Sequence, residues 1–402
     1  MKHAIFNLEM EFMKLIKLLS SLFFLGKVIN AGALNLYVGS YTSDGEPVGN
    51  GNGIYQIELN PKNGVAQAAQ LAVKATNPSY ILIRENKLYT ANEVGEYNGE
   101  SSGFVAAYDI KPDGSLQLLN SQASGGLYPV HLSLNKSGQQ LYVANYGSGA
   151  AGSAGISAYN LALDGALESD VKYSAYVGHG KDASRQSSPH THSVYVINAQ
   201  DKQDLILAVD LGLDKVFAYH NEYQSNQLTL LAENVILDPQ NNKLAIGPRH
   251  MAISQDNKFI YLVDELYSYI FVYALDSATG KMSFKQKIHT FNGALKGERN
   301  YPANAVISHD QRYLYVANRG QNSIAQFSIK ANGELVYIKE FSAEGDWPRD
   351  IALDASGKYL GIANQRSDNV TIYQVNQHNG NLSKAVKIAV PTPITLKFAN
   401  FK

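Results

Sequence analysis

Cysteine is missing from all 402 residues. Its absence removes disulfides, thiolate zinc sites and cysteine nucleophiles together, and it leaves the compartment open, because an exported chain can also do without it. A surplus of either charge is missing too: 34 Lys and Arg stand against 35 Asp and Glu, a formal net charge of −1. A dedicated nucleic-acid binder needs a basic face, and none is signalled. Long apolar runs are absent; the best, Leu18 to Leu25, is too short to span a bilayer. Lys-rich and Ala-rich helical stretches are scarce. What is plentiful is glycine and tyrosine, 33 and 26 of them, in a chain that is 45% hydrophobic. That points to a turn-rich, all-β protein with a sizeable core, built as one large domain or two ordinary ones.

From Met13 the chain reads MKLIKLLSSLFFLGKVINAGALN: two lysines, the short apolar run, then Ala31-Gly32-Ala33. A basic start, an apolar centre and an A-x-A site are the parts of a signal peptide. Residues 1–33 are therefore expected to be a signal peptide or an N-terminal extension, ahead of a domain at 34–402. Their removal takes away four Lys and two Glu and moves the net charge from −1 to −3. The mature protein is expected in the periplasm or outside the cell, with no membrane attachment. A cytoplasmic location follows if the segment is not a working signal.

A short strand-like phrase recurs: LYVGSYT at 36, LYTANEV at 88, LYVANYG at 141, LILAVDL at 205, IYLVDEL at 260, LYVANRG at 314 and LGIANQR at 360. Self-similarity at this period marks a repeat architecture. A proline followed by a strand precedes the later copies: PSYILI at 78, PVHLSL at 129, PHTHSV at 189, PRHMAI at 248, PANAVI at 302 and PRDIAL at 348. Between the two phrases lie turns such as NKSGQQ, QDNK, HDQR and ASGK, rich in residues that suit tight hairpins. Third strands follow, such as KVFAYH and YIFVYAL, then DG or NG turns into a fourth. Four antiparallel strands in each of seven units predict a seven-bladed β-propeller. The first unit lacks its inner strand. The C-terminal TPITLKF, Thr392 to Phe398, matches the missing phrase and is expected to close the ring on the N-terminal blade, leaving no free edge at the seam.

The inner strand of a propeller blade lines the central channel and the second strand runs back. The start of one and the end of the other therefore share a rim. Two positions after each proline stand Tyr80, His131, Thr191, His250, Asn304 and Asp350, polar or amphipathic residues that an apolar core would not select. The neighbouring register adds His190, Arg249 and Arg349, with His192 just beyond. The second strands end at Tyr41, Glu93, Tyr146, Leu211, Glu265, Arg319 and Gln365. Convergent polar groups at one channel mouth are the default site. His190 and His192 share a strand face, but zinc needs a third protein ligand that the sequence does not mark, so no metal and no cofactor is assigned. The plainer reading is that these histidines only hydrogen-bond neighbouring blades.

These phrases resemble the seven-bladed lactonase family, which takes in propeller-type 6-phosphogluconolactonases and fungal 3-carboxy-cis,cis-muconate lactonizing enzymes. The resemblance covers essentially everything after Leu34. It rests on SPHTHSV, VDLGLDKVFAYH, GPRHMAIS with LVDELYSYIFVYAL, LYVANRGQNSIAQFSI and WPRDIALDASGKYLGIANQRSDNVTIYQV. It implies an enzyme acting on a small-molecule lactone, with His190 or His192, Arg249, Glu265 and Arg319 catalytic. Tyr80, Glu93, His131, His250, Asn304 and Arg349 are placed at the same mouth as substrate contacts. One departure stands out: where the family usually shows an acid and a histidine, YPANAVIS carries Asn304 and Val306.

For lactone hydrolysis a base must take a proton from water while a cation stabilises the tetrahedral oxyanion. Glu265 or His192 is the candidate base and Arg249 the clamp. Arg319 and Arg349 are suited to holding a carboxylate or phosphate by bidentate contacts. Run backwards, the same groups make a lactonizing enzyme. A different class is equally compatible with the fold: a non-catalytic propeller whose mouth is a ligand or protein platform, its arginines forming inter-blade salt bridges.

Overall fold

The repeated second-strand phrase is apolar at consecutive positions because each copy is sandwiched between two neighbouring blades. In the strand Phe259–Asp264, Ile260 and Leu262 pack towards the preceding blade, and Tyr261 and Val263 towards the following one. Side chains alternate across a strand, so a strand covered on both faces reads as a continuous apolar run. The computed structural model describes residues 33–147, 155–198, 204–222, 227–295, 297 and 299–399. The signal-peptide expectation falls on residues that lie, apart from Ala33, outside these. Among the described residues no helix is long and apolar enough to cross a membrane.

The described strands form seven four-stranded antiparallel sheets, the blades of a propeller. The inner strands of blades 2 to 7 are Pro78–Arg84, Leu127–Leu134, Thr191–Asn198, Pro248–Ile253, Tyr301–Ile307 and Pro348–Leu353. Blade 1 receives its inner strand from the other end of the chain. Pro393–Ala399 pairs antiparallel with Leu34–Ser40, Leu36 opposite Phe398 and Val38 opposite Leu396. The expected closing strand is thus present. Seven apolar clusters fill the seven blade interfaces. The one at the seam joins Leu36, Val38 and Ile57 of blade 1 to Ile372 and Ile388 of blade 7.

A buried Asx lies at the end of each second strand from blade 2 onward or within two residues of it: Asn92, Asn145, Asp210, Asp264, Asn318 and Asn364. The asparagines hook the crossover arriving from the previous blade, donating Nδ2 to Thr76 O, Ser124 O, Thr290 O and Ala343 O respectively. Buried carbonyls need such partners. Asn318→Ala is therefore expected to cost about 1–3 kcal/mol, because it orphans a buried acceptor. The shift of the urea midpoint at constant slope measures it.

Each inner strand is irregular at its start. Pro78 pairs with Asn92 but Tyr80 with Ala91, Pro129 with Asn145 but His131 with Ala144, and Pro348 with Asn364 but Asp350 with Ala363. An extra residue inserted at this point re-aims the side chains around it. In blade 4 Thr191 pairs with Asp210 and Ser193 with Val209. Thr191, not Pro189, therefore holds the place that proline holds elsewhere. This corrects the expected register: Ser193 is the counterpart of Tyr80 and His131, and His192 is the counterpart of Arg249 and Arg349. The cause is local, since the Thr191 hydroxyl donates to Asp210 Oδ2 at 2.8 Å and fixes the strand start two residues late.

Candidate functional site

The shared rim of inner-strand starts and second-strand ends brings Arg249 and Arg319 onto the Glu265 carboxylate, and the crossover ahead of blade 4 adds Arg185. Glu265, 4% exposed, follows the turn-forming Asp264, which accepts the N–H groups of Leu266 and Tyr267. Its Oε1 accepts a hydrogen bond from Arg185 Nη2 at 2.5 Å. Its Oε2 accepts one from Arg319 Nη2 at 2.7 Å and lies 2.9 Å from Arg249 Nε. That last N–H is not aimed at the oxygen, so the Arg249 contact is an ion pair without a directed bond. Arg249 is anchored instead by Nη1 donating to Ala303 O at 2.5 Å, and Arg319 by Nε donating to Tyr301 O at 2.9 Å. Three guanidiniums against one carboxylate leave two positive charges in excess.

Burial alone would raise the Glu265 pKa, but Arg319, Arg249 and Arg185 outweigh it and hold the carboxyl well below the usual range. Burial first, and then Arg319, push the Arg249 pKa down to about 9, with Glu265 pulling it back. At neutral pH the site therefore holds an ionised carboxylate among cations. The same register in blade 2 carries Glu93 in the opposite setting. Burial raises its pKa, opposed by Arg349 and by the bond from Tyr41. Tyr41 donates to Glu93 Oε2 at 2.8 Å and accepts from Arg349 Nη2 at 2.8 Å. Two carboxylates whose environments drive them apart are a recurrent acid–base arrangement.

His192 lies between these groups. It is buried, its ring centroid is 5.1 Å from that of His250 and 5.5 Å from that of Tyr146, and its Nδ1 has no hydrogen-bond partner among the described residues. Burial, then Arg249, hold its pKa well below 6.5, so the ring is neutral. His190 precedes the strand, stacks on Tyr146 at 4.6 Å and bonds Tyr146 O through Nδ1. Of the two, His192 faces the buried cluster and His190 forms wall.

Behind His192 stand His250 and His131, their centroids 5.2 Å apart, with Tyr80 4.1 Å from His131. Burial keeps both of these histidines neutral as well. The His131 Nδ1 accepts the Val194 N–H, which places its proton on Nε2. Asn304 is engaged elsewhere: its Nδ2 donates to Asp350 Oδ1 at 2.6 Å, and Asp350 Oδ2 accepts from Thr395 of the closing strand. These bonds join blades 6, 7 and 1 around the channel. Arg349 is 3.6 Å from Glu93. Of the predicted residues, Arg249 and Arg319 gather on Glu265 and Arg349 on Glu93, His192 lies between them with His250, His131 and Tyr80 behind it, and His190 and Asn304 are tied into the wall.

Sequence reasoning missed Arg185, Lys397 and Trp347. Lys397 comes from the closing strand, 3.6 Å from Asp350 and over the Tyr80 ring. The period-two pattern of TPITLKF could have placed it in the channel. Trp347, with φ of 64°, sits by Arg319 and carries Arg366 against its ring. Arg185 comes from the long crossover ahead of blade 4, outside the repeated phrases, so no repeat pointed to it.

Residues 35–398 match the family described as "Lactonase, 7-bladed beta-propeller". A 6-phosphogluconolactonase of Bacillus subtilis is 30% identical over 370 residues, covering 90% of this chain and 97% of that protein. One of Formosa agariphila is 32% identical over 354 residues, covering 87% and 94%. Among solved structures, a periplasmic gluconolactonase of Pseudomonas aeruginosa is similar with a TM-score of 0.77 and 28% identity, covering 92% of this chain and all of that one. A protein from Lactobacillus plantarum has a TM-score of 0.79 at 29% identity, with coverage of 92% and 100%.

Proposed function

The chain belongs to the seven-bladed β-propeller lactonase family, and from that premise we propose that it hydrolyses a sugar-type lactone at the Glu265 mouth. The observation that carries this reading is a buried carboxylate holding three guanidiniums beside a neutral histidine with a free nitrogen. Water adds to the lactone carbonyl and His192 Nδ1 takes its proton. Arg249 faces the oxyanion that forms, the interaction that contributes most in acyl transfer. The ring C–O bond then breaks, and the alkoxide gains a proton from the Tyr41–Glu93 pair. Glu265 is not the base in this scheme. A carboxylate held this low is a weak proton acceptor, and its part is to align guanidiniums. Arg349 fixes Tyr41.

The relatives' names support lactone chemistry, and likeness to a periplasmic enzyme, with the signal-like residues 13–33, supports an exported protein. The test is pH-stat hydrolysis of 6-phosphogluconolactone, gluconolactone and a muconolactone by the full-length protein. Turnover of any one above the spontaneous rate supports the reading. No turnover of any of them sinks it and favours the ligand platform. Where turnover is found, kcat/KM is expected to stay level as pH is lowered through 6.5. The burial and Arg249 that depress His192 keep the base form available there. An acid limb at 6.5 would point to an unperturbed histidine instead.

A further inference from the structure

Arg185 differs from the other two guanidiniums on Glu265 in what it leaves open. The Arg249 and Arg319 side chains are 3% and 7% exposed, whereas that of Arg185 is 32% exposed. Arg249 and Arg319 also give N–H groups to backbone carbonyls in the wall. Among the described residues Arg185 donates to Glu265 Oε1 and interacts with the Tyr146 hydroxyl, both side chains at the mouth. A guanidinium carries five N–H donors in a planar fork, so donors remain on its open side.

The segment that presents Arg185 is built to hold it still. Residue Gln186 is fully buried and donates Nε2 to Leu211 O at 2.7 Å and to Asp214 Oδ1 at 2.6 Å. Its Oε1 accepts the N–H groups of Lys181 and Asp182 at 2.8 and 3.0 Å. The N–H groups of Arg185 and Gln186 turn back to Asp182 O. The cation is therefore fixed by its neighbour while its head stays accessible, in a site that already has two positive charges in excess.

We propose that Arg185 is a specificity-determining residue that reads an anionic substituent on the lactone, a phosphoryl or carboxylate group. The proposal rests on the lactonase reading for its substrate, but its geometry does not depend on it. The substituent would take the free edge of the guanidinium while Glu265 keeps the opposite edge. The reacting carbonyl would lie deeper, against Arg249. Fixed planar donors suit both kinds of anion.

The test compares wild type with Arg185→Ala and Arg185→Lys in the full-length protein. On 6-phosphogluconolactone and on a carboxylated muconolactone, kcat/KM is expected to fall about 10- to 100-fold relative to that on neutral gluconolactone, mostly in KM. Loss on only one of the two anionic lactones tells phosphoryl from carboxylate. An equal loss on charged and neutral lactones overturns the proposal and leaves Arg185 as a strap for Glu265. Calorimetric titration with 6-phosphogluconate and with gluconate needs no turnover and separates this idea from the lactonase reading. Wild type should prefer the phosphorylated acid and Arg185→Ala should lose the preference. A preference that the substitution leaves unchanged overturns the proposal even in an active enzyme, and so does the absence of any preference in wild type unless the carboxylated muconolactone alone loses kcat/KM on substitution. Unaltered melting of Arg185→Lys controls for folding.

Discussion

Arg249→Ala is expected to lower kcat on the hydrolysed lactone by about 10²- to 10³-fold, the usual cost of one oxyanion donor, in a protein that remains folded. The fold survives because the substitution does not strand the buried carboxylate: Arg185 and Arg319 still neutralise Glu265. What is orphaned is one backbone acceptor, Ala303 O, at a cost of about 1–3 kcal/mol. Arg249→Lys should recover only part of the rate, since an ammonium keeps the charge and loses the planar fork. Steady-state kinetics at pH 7, beside a thermal melt, measures both. A kcat that survives within a few-fold in Arg249→Ala would remove Arg249 from the chemistry and return it to the wall.

Glu265→Ala inverts the charge problem and should be the more damaging change to stability. It leaves Arg249 and Arg319 buried with no carboxylate, and breaking a buried ion pair by deleting one partner costs about 3–5 kcal/mol. Activity should vanish with it, because the guanidiniums lose their common anchor. Glu265→Gln keeps an acceptor without the charge and should fall between. The pH dependence separates this from simple cavity formation. Although burial opposes it, the arginines hold the folded carboxyl well below the ordinary glutamate value of 4.5. Its stabilisation is therefore complete above that value and is lost as pH falls through the folded pKa. Wild type and Glu265→Ala should keep their full gap in urea midpoint from pH 7 down to about 4.5 and converge as the medium is acidified further. A gap that stays constant down to pH 3 would show that charge is not its origin.

The fold was legible because its decisive strands are buried on both faces. LYVANYG and LYVANRG stand out as continuous apolar words ended by an Asx, and that Asx is a crossover hook. The site was legible where it follows the repeat. Arg249, Arg319 and Glu265 were found by register alone, since all the blades bulge at the same place. Blade 4 misled for one physical reason: Thr191 satisfies Asp210 with its hydroxyl, so Pro189 lies ahead of the strand and the histidines shift by two. Arg185 was invisible because it belongs to a crossover that lies outside the repeated phrases. Choosing between Glu265 and Glu93 required knowing how many guanidiniums each faces, a count that the matching positions in LYTANEV and IYLVDEL do not carry.

The pairing of Pro393–Ala399 with Leu34–Ser40 also has a bearing on how the polypeptide is made. Of the seven blades, the one built on Leu34–Ser40 is completed last, because its inner strand, Pro393–Ala399, follows the other six blades in the sequence. Until then Leu34–Ser40 offers an unpaired edge, the kind that recruits other strands, through the synthesis of six further blades. Domains otherwise tend to fold from the N-terminus as they emerge. Any premature stop before residue 393 leaves this same edge exposed, whether one blade or six have been built. Incomplete chains of every length thus carry a common mark by which a chaperone or protease could sort them from finished ones.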